Sequence, residues 1–280
     1  MRDEELKSQT DYSLGQKEAA QRVLIEIANL LNDFQDDMLI IGGWVPDLLF
    51  PEQGHVGSID VDILCNHTNL EESSYDNIER ILVRSGYIKH PSKFFTFVKE
   101  VIIDGVSYDV DLDILAGKYG GTPDHKLGKH FQGIKALKAT GGNFAFEVPA
   151  IEVRVEAKRP DGARDTGKVK VVSIVPYLVM KTAALGRGKP KDAYDIYFCI
   201  KHYYGGIEVL ANEFKSYINY GLVKNMLEKL KEKFSSPEHA GPVDVASFLE
   251  IYEQEEVEMV KRDTFEHISR LIELLESIAF

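Results

Sequence analysis

Cysteine is scarce in this chain of 280 residues: only Cys65 and Cys199 occur, each inside an apolar run and neither in a CxxC pair. That excludes a disulfide framework and a thiolate zinc site, and two buried free thiols suit a reducing compartment. Long apolar runs are missing as well; none approaches the length of a membrane span. The opening MRDEELKSQTDYS is charged and lacks the apolar stretch of a signal peptide, so the expected location is the cytoplasm. Without secretion, the sequon Asn66-His67-Thr68 carries no meaning. A basic excess is also absent. The formal net charge is -12, which excludes a grip on long nucleic acid over the whole surface and leaves only a local basic contact. Neither a GxxxxGK[ST] loop nor a GxGxxG fingerprint is present. The single tryptophan, Trp44, sits beside Gly42-Gly43 and is expected to pack in the core.

What is present is ordinary globular material, 44% hydrophobic and 28% charged, enough to build a sizeable core. Residues 16–34 carry apolar positions at helical spacing. MLIIGG then reads as a buried strand closed by a tight turn, and WVPDLLF as a brief helical turn. Strands are expected at 58–65, 94–103, 107–115, 146–156 and 168–175, with a helix at 71–85 and a hairpin turn at Asp104-Gly105. From Pro176 the pattern turns helical, with helices expected at 176–186, 190–203, 207–217, 219–234 and 257–279. The expected class is α+β: a mixed sheet flanked by helices over 1–175, followed by a helical bundle over 176–280.

Two of the strands line one face with acid. In SIDVDILC, Ile59, Val61 and Ile63 alternate with Asp60 and Asp62; in SYDVDLDIL, Val110, Leu112 and Ile114 alternate with Asp109, Asp111 and Asp113. Side chains two apart on a strand leave the same face, so each strand brings its carboxylates together. One Asp-x-Asp alone is most simply a solvated face. Two such strands after a Gly-Gly turn call for a positive partner, because like charges at this spacing repel. A divalent cation is the natural one: magnesium takes one or two carboxylates plus phosphates and water, and two such ions about 3.5–4 Å apart clamp an in-line phosphoryl displacement. A calcium loop at Asp109 is excluded, since its sixth position is Ile114 and its twelfth Gly120.

A strand ending in Gly-Gly, then Ser-x-Asp-x-Asp, then an acid-bearing apolar strand resembles the nucleotidyltransferase superfamily of the polymerase beta type; here the segments read LIIGGWVPDLL, GSIDVDIL and YDVDLDIL. KTAALGRGKPKDAYDIYFCIKHY further resembles the helix signature of AbiEii-type nucleotidyltransferases, the toxin components of type IV toxin–antitoxin and phage-defence systems. The resemblance covers roughly residues 38–202. It implies that Gly42, Gly43 and Ser58 contact the triphosphate and that Asp60 and Asp62 hold two Mg²⁺. A third acid, Asp113 or else Asp111, would help activate the attacking hydroxyl. Lys181 would pair with nucleotide phosphates and Asp192 would orient it or bind the second substrate, with Arg187, Lys191 and Asp195 nearby. The substrate would be a nucleoside triphosphate (NTP), the acceptor RNA such as a tRNA end, and a cognate antitoxin a further partner. Sixteen residues separate Gly43 from Asp60, a longer spacing than the superfamily's compact one, and FPEQGHVG is expected to form a loop beside the site.

Other readings stand beside this one. A small hydroxylated molecule could be the acceptor, or the chain could be a regulatory module that binds nucleotide without turnover. The lysine-rich stretch 118–138, with His125, His130 and one acid, Asp124, could touch RNA backbone or be a solvated loop. A second basic stretch, Lys158 to Lys170, is interrupted by Asp161 and Asp165. The acidic tail from Asp244 carries Val260, Ile268, Leu271, Leu274 and Leu275 at spacing suited to packing on a neighbouring helix.

Overall fold

The structure, a computed structural model, describes residues 7–66, 69–70, 77–118, 128–131 and 133–279. It forms two compact units, one of residues 13–49 and 57–176, the other of residues 1–12, 50–56 and 177–280. The first holds a mixed sheet with flanking helices and the second is helical, so the α+β class holds.

In the sheet unit, α1 (Leu14–Leu30) starts at Ser13, whose hydroxyl caps the Gln16 amide. It buries Ala19, Ala20, Val23, Leu24 and Ile25 completely. Next come β1 (Met38–Ile41), all four residues buried, a single turn over Gly42–Trp44, and the five-residue α2 (Val45–Leu49). The unit continues with β2 (Val61–Cys65), α3 (Ile78–Arg84), β3 (Ile88–Lys89), β4 (Thr96–Ile103) and β5 (Val106–Lys118). It closes with β6 (Gly128–Phe131), β7 (Ile134–Thr140), α4 (Gly142–Glu147), β8 (Ile151–Lys158) and β9 (Arg164–Val171). The sheet order is β3-β4-β5-β2-β1-β9-β8, with β7 beside the far end of β5 and β6 beyond it. β2 and β5 run parallel, as do β1 and β9, and the β4–β5 hairpin turns at Asp104-Gly105 as expected.

Several elements differ from expectation. β2 begins at Val61, which leaves Asp60 in a bend one residue before the strand. The strand expected at 146–156 is α4 followed by β8, because GNFAFE buries Phe144 and Ala145 as a helical turn. The loop reading of 118–138 gives way to the β6–β7 hairpin, where Ile134 and Ala136 are buried by alternation; His125, Asp124 and Lys126 lie outside the described residues. The helix expected at 71–85 is described only from Asn77 on.

The helical unit contains α5 (Ile174–Ala184, its first turn in the sheet unit), α6 (Pro190–Lys201), α7 (Ile207–Glu213), α8 (Gly221–Lys233), α9 (Ala240–Phe248) and α10 (Gln254–Ala279). α9 has no counterpart in the sequence reading: AGPVDVASF carries Gly and Pro at its start, yet Val245 and Phe248 are fully buried. The long α10 buries Thr264, Ile268, Leu271, Ile272 and Leu275 along one stripe, as the tail's spacing implied. Phe50–Val56 also belongs to this unit. Phe50 is buried with its ring edge-on to Phe198, and His55 is buried too, while Pro51, Glu52, Gln53 and Gly54 between them are exposed, so FPEQGHVG is a loop anchored by Phe50 and His55. Among the described residues no helix is long and apolar enough to cross a membrane.

Candidate functional site

The sheet places the acids side by side. In the parallel β2–β5 pair, Asp62 is the register partner of Asp113. Neighbours in register project from the same face, so the two carboxylates share it, and Asp111 follows two residues back on β5. Each of the four acids Asp60, Asp62, Asp111 and Asp113 is half-buried, whereas Asp109 is exposed. On its other side β5 pairs with β4, setting Thr96 opposite Asp113 and Val98 opposite Asp111.

Each carboxylate has a fixture. Ser58, itself buried, donates its hydroxyl to Asp60 Oδ1 in a short hydrogen bond, and the Trp44 indole N–H donates to the Asp60 carbonyl at 2.8 Å. Trp44 is thus buried, as expected, but it also holds the bend that carries the first acid. Thr96 donates to Asp113 Oδ1 at 2.5 Å. Lys93 Nζ lies 3.2 Å from Asp111 Oδ2 and neutralises that acid. Asp62 lies against Gly42: a Cβ there would come within 1.9 Å of Asp62 Oδ2, and the backbone φ is +72°. Both facts demand glycine at 42. Gly43 is buried in the following turn, and α2 is too short for a helix dipole to add to any anion site there.

Burial pushes the Asp113 carboxyl up to about 6, and the charges of Asp60 and Asp111 push the same way, against the Thr96 hydrogen bond and Lys93. The donors are hard oxygens of the kind that suit Mg²⁺. As the side chains stand, no three acidic, imidazole or thiol groups among the described residues converge on one point. The donors suit the ion in kind and in strand register, but Asp60 lies against Ser58 and Asp62 against Gly42, so as they stand they do not form a group that holds it.

The expected second-half residues form a separate cluster inside the helical unit. Lys181 on α5 reaches Asp192 at 2.9 Å and Asp195 at 2.8 Å, both on α6. Lys191 Nζ spans Asp195 at 2.9 and 3.1 Å. His55 Nε2 completes the cluster, 2.9 Å from Asp195 Oδ1, with its ring stacked on Tyr194. The flanking lysines hold Asp195 ionised, far below the usual carboxylate range despite complete burial. Lys181 and Lys191 thus spend their charge on internal carboxylates, while Arg187, 3.6 Å from Asp192, keeps a side chain 66% exposed.

Burial and the two lysines lower His55 from 6.5 to about 4, so the ring is neutral and donates to Asp195. A folded-state value below the unfolded one means stability present above pH 6.5 and lost as pH falls toward 4. The loss is on the order of 3 kcal/mol. His55→Gln keeps a donor but does not titrate, so urea midpoints at pH 7, 5.5 and 4.5 should fall less steeply for it than for wild type. Equal slopes would rule this assignment out.

Sequence reasoning missed Thr96, Lys93 and His55. The Asp104-Gly105 turn held the signal for Thr96, since a two-residue hairpin turn sets Thr96 opposite Asp113 by counting back. Nothing local pointed to His55, whose partner lies 140 residues away. No family model, curated protein or solved structure matches this chain.

Proposed function

We propose that this chain is a Mg²⁺-dependent nucleotidyltransferase that moves a nucleoside monophosphate from an NTP to an acceptor hydroxyl, with RNA as the acceptor class. The observation that carries the reading is the in-register pair Asp62–Asp113 on adjacent parallel strands, with Asp60 anchored just ahead of it. Asp60, Asp62 and Asp113 would hold the metal, which when bound supplies Lewis-acid stabilisation of phosphate charge. Asp111 is paired with Lys93, which favours Asp113 as the third acid.

In the proposed reaction the acceptor oxygen bonds to the α-phosphorus, the bond from that phosphorus to the bridging oxygen breaks, and pyrophosphate leaves with that oxygen. The acceptor proton passes to Asp113 Oδ2, the oxygen that Thr96 does not hold. Gly42 and Gly43 form the backbone turn beside Asp62, whose carboxylate fills the space a Cβ at 42 would take; the motif resemblance assigns this turn to the triphosphate. Ser58 serves Asp60 in this structure, so its role is to position that acid. Among the second-half cations, Arg187 has surface to offer a phosphate; Lys181, Lys191 and Asp192 form the buried frame that supports α6. A toxin–antitoxin setting and a cognate antitoxin rest on the motif resemblance alone.

The test incubates purified protein with Mg²⁺, each of the four labelled ribonucleoside triphosphates and total cellular RNA. Label should enter RNA with one nucleotide preferred, and Asp60→Asn should abolish it. Absence of label in RNA together with label in a small molecule would move the acceptor class. Nucleotide binding without transfer to any acceptor would leave a regulatory module in place of an enzyme.

A further inference from the structure

The second basic stretch looks unpromising in sequence, because acids interrupt it, but the β8–β9 hairpin sorts those acids away from the bases. Asp161 sits at the hairpin turn and is tied to Arg159 at 2.9 Å and to the Ala163 amide at 3.0 Å. Asp165 belongs to the face that packs on α1, where Asn29 donates to it at 3.0 Å. The same face carries Gly167, whose missing Cβ leaves room for Ala28 of α1; a Cβ would come within 3.1 Å. Val155 and Val169 are buried on that side.

The opposite face is different. By alternation and register it pairs Arg154 with Lys168 and Lys158 with Arg164 across the hairpin, and all four are exposed. The same face carries two exposed acids, Glu152 opposite Lys170 and Glu156 opposite Thr166. Like charges directly opposite each other on one face destabilise a hairpin, and here two such pairs stand on the same strip with Glu156 between them. Lys168 has a partner in Glu152 at 2.7 Å, and Lys170 one in Asp36 at 2.7 Å. Arg154, Lys158 and Arg164 make no side-chain ion pair among the described residues. Arg154 and Lys158 are four residues apart, which on a strand is about 14 Å. A strip of five cations against two acids, on a chain of net charge -12, is complementary to an extended polyanion.

We propose that the exposed face of the β8–β9 hairpin is an RNA-backbone docking strip, with Arg154, Lys158 and Arg164 as its phosphate contacts. This deepens the reading above and rests on its RNA-acceptor form. Recognition is electrostatic and indifferent to sequence, since the strip presents cations and no aromatic platform.

Binding of a labelled 20-nucleotide single-stranded RNA is measured by fluorescence anisotropy from 50 to 200 mM KCl. The variant Arg154→Gln/Lys158→Gln/Arg164→Gln should weaken binding at least tenfold and flatten the slope of log Kd against log salt by about 2, three contacts at about 0.7 each. Removal of like-charge pairs should leave its Tm unchanged or raised. A control with the same change in net charge, Lys231→Gln/Lys261→Gln/Arg270→Gln on the helical unit, should bind as wild type does. Equal losses in the two triple variants would overturn the strip. So would binding to anionic phospholipid vesicles without binding to RNA. If wild type labels RNA while the hairpin variant binds and labels as well as wild type, the strip falls and the transferase stands. If RNA binds through the strip but no nucleotide is ever transferred, the strip stands and the transferase falls.

Discussion

Asp113→Asn should lower nucleotide transfer by on the order of 10³-fold or more, while Asp111→Asn should stay within about tenfold of wild type. The two acids are two residues apart on the same strand face, and the sequence does not separate them. Their neighbours do. Asp113 lies beside Asp62 in the parallel register, takes a hydrogen bond from Thr96, and is driven toward the neutral form by burial and by Asp60. Asp111 already has a cation, Lys93. On the proposed reading Asp113 both holds metal and takes the acceptor proton, so losing it would remove several kcal/mol of transition-state stabilisation, and each 1.36 kcal/mol is about tenfold in rate. Asparagine keeps the size and the Thr96 hydrogen bond, so the fold should survive. Single-turnover rates with matched thermal unfolding curves separate the alternatives. A large loss in Asp111→Asn with a small one in Asp113→Asn would reverse the assignment, and small losses in both would remove β5 from the chemistry.

Asp195→Ala should destabilise the protein by about 3–5 kcal/mol, the largest stability effect expected of any charged residue here. Its carboxylate is fully buried and answers Lys181, Lys191 and His55 together. Without it, Lys191 loses its carboxylate and Lys181 keeps only Asp192. Unpaired buried charge costs far more than an exposed pair gains. By the same reasoning Arg187→Ala, at a 3.6 Å contact with a mostly exposed guanidinium, should change stability by no more than about 1 kcal/mol. Guanidinium unfolding at pH 7 measures both. A loss for Asp195→Ala no larger than for Arg187→Ala would mean that water reaches the cluster.

These expectations show what could be read from residues alone. The Asp-x-Asp alternation, the Gly-Gly turn and the shift to helical patterning after Pro176 are local signals, because side-chain period and turn chemistry are local properties. The β4–β5 register was legible too, since a two-residue turn at Asp104-Gly105 leaves one way to pair the strands. The signals for α4 and α9 were weaker: both are short, and tertiary burial of Phe144 and Phe248 stabilises them more than their own propensity does.

By itself, then, the sequence determined the fold class and the two acid-lined strands. Only the tertiary structure decided which strands became neighbours. The parallel pairing that sets Asp62 beside Asp113 joins strands some fifty residues apart, and no local rule specifies it. It also decided that α1 covers the side of the β8–β9 hairpin that bears Asp165 and leaves the side that bears Arg154, Lys158 and Arg164 exposed. Finally, it carried His55 to Asp195, which anchors a loop exposed at residues 51–54 to a buried ionic cluster. Long-range contacts of this kind are selected by the burial of the whole chain, and so they leave no periodic mark in the segments they join.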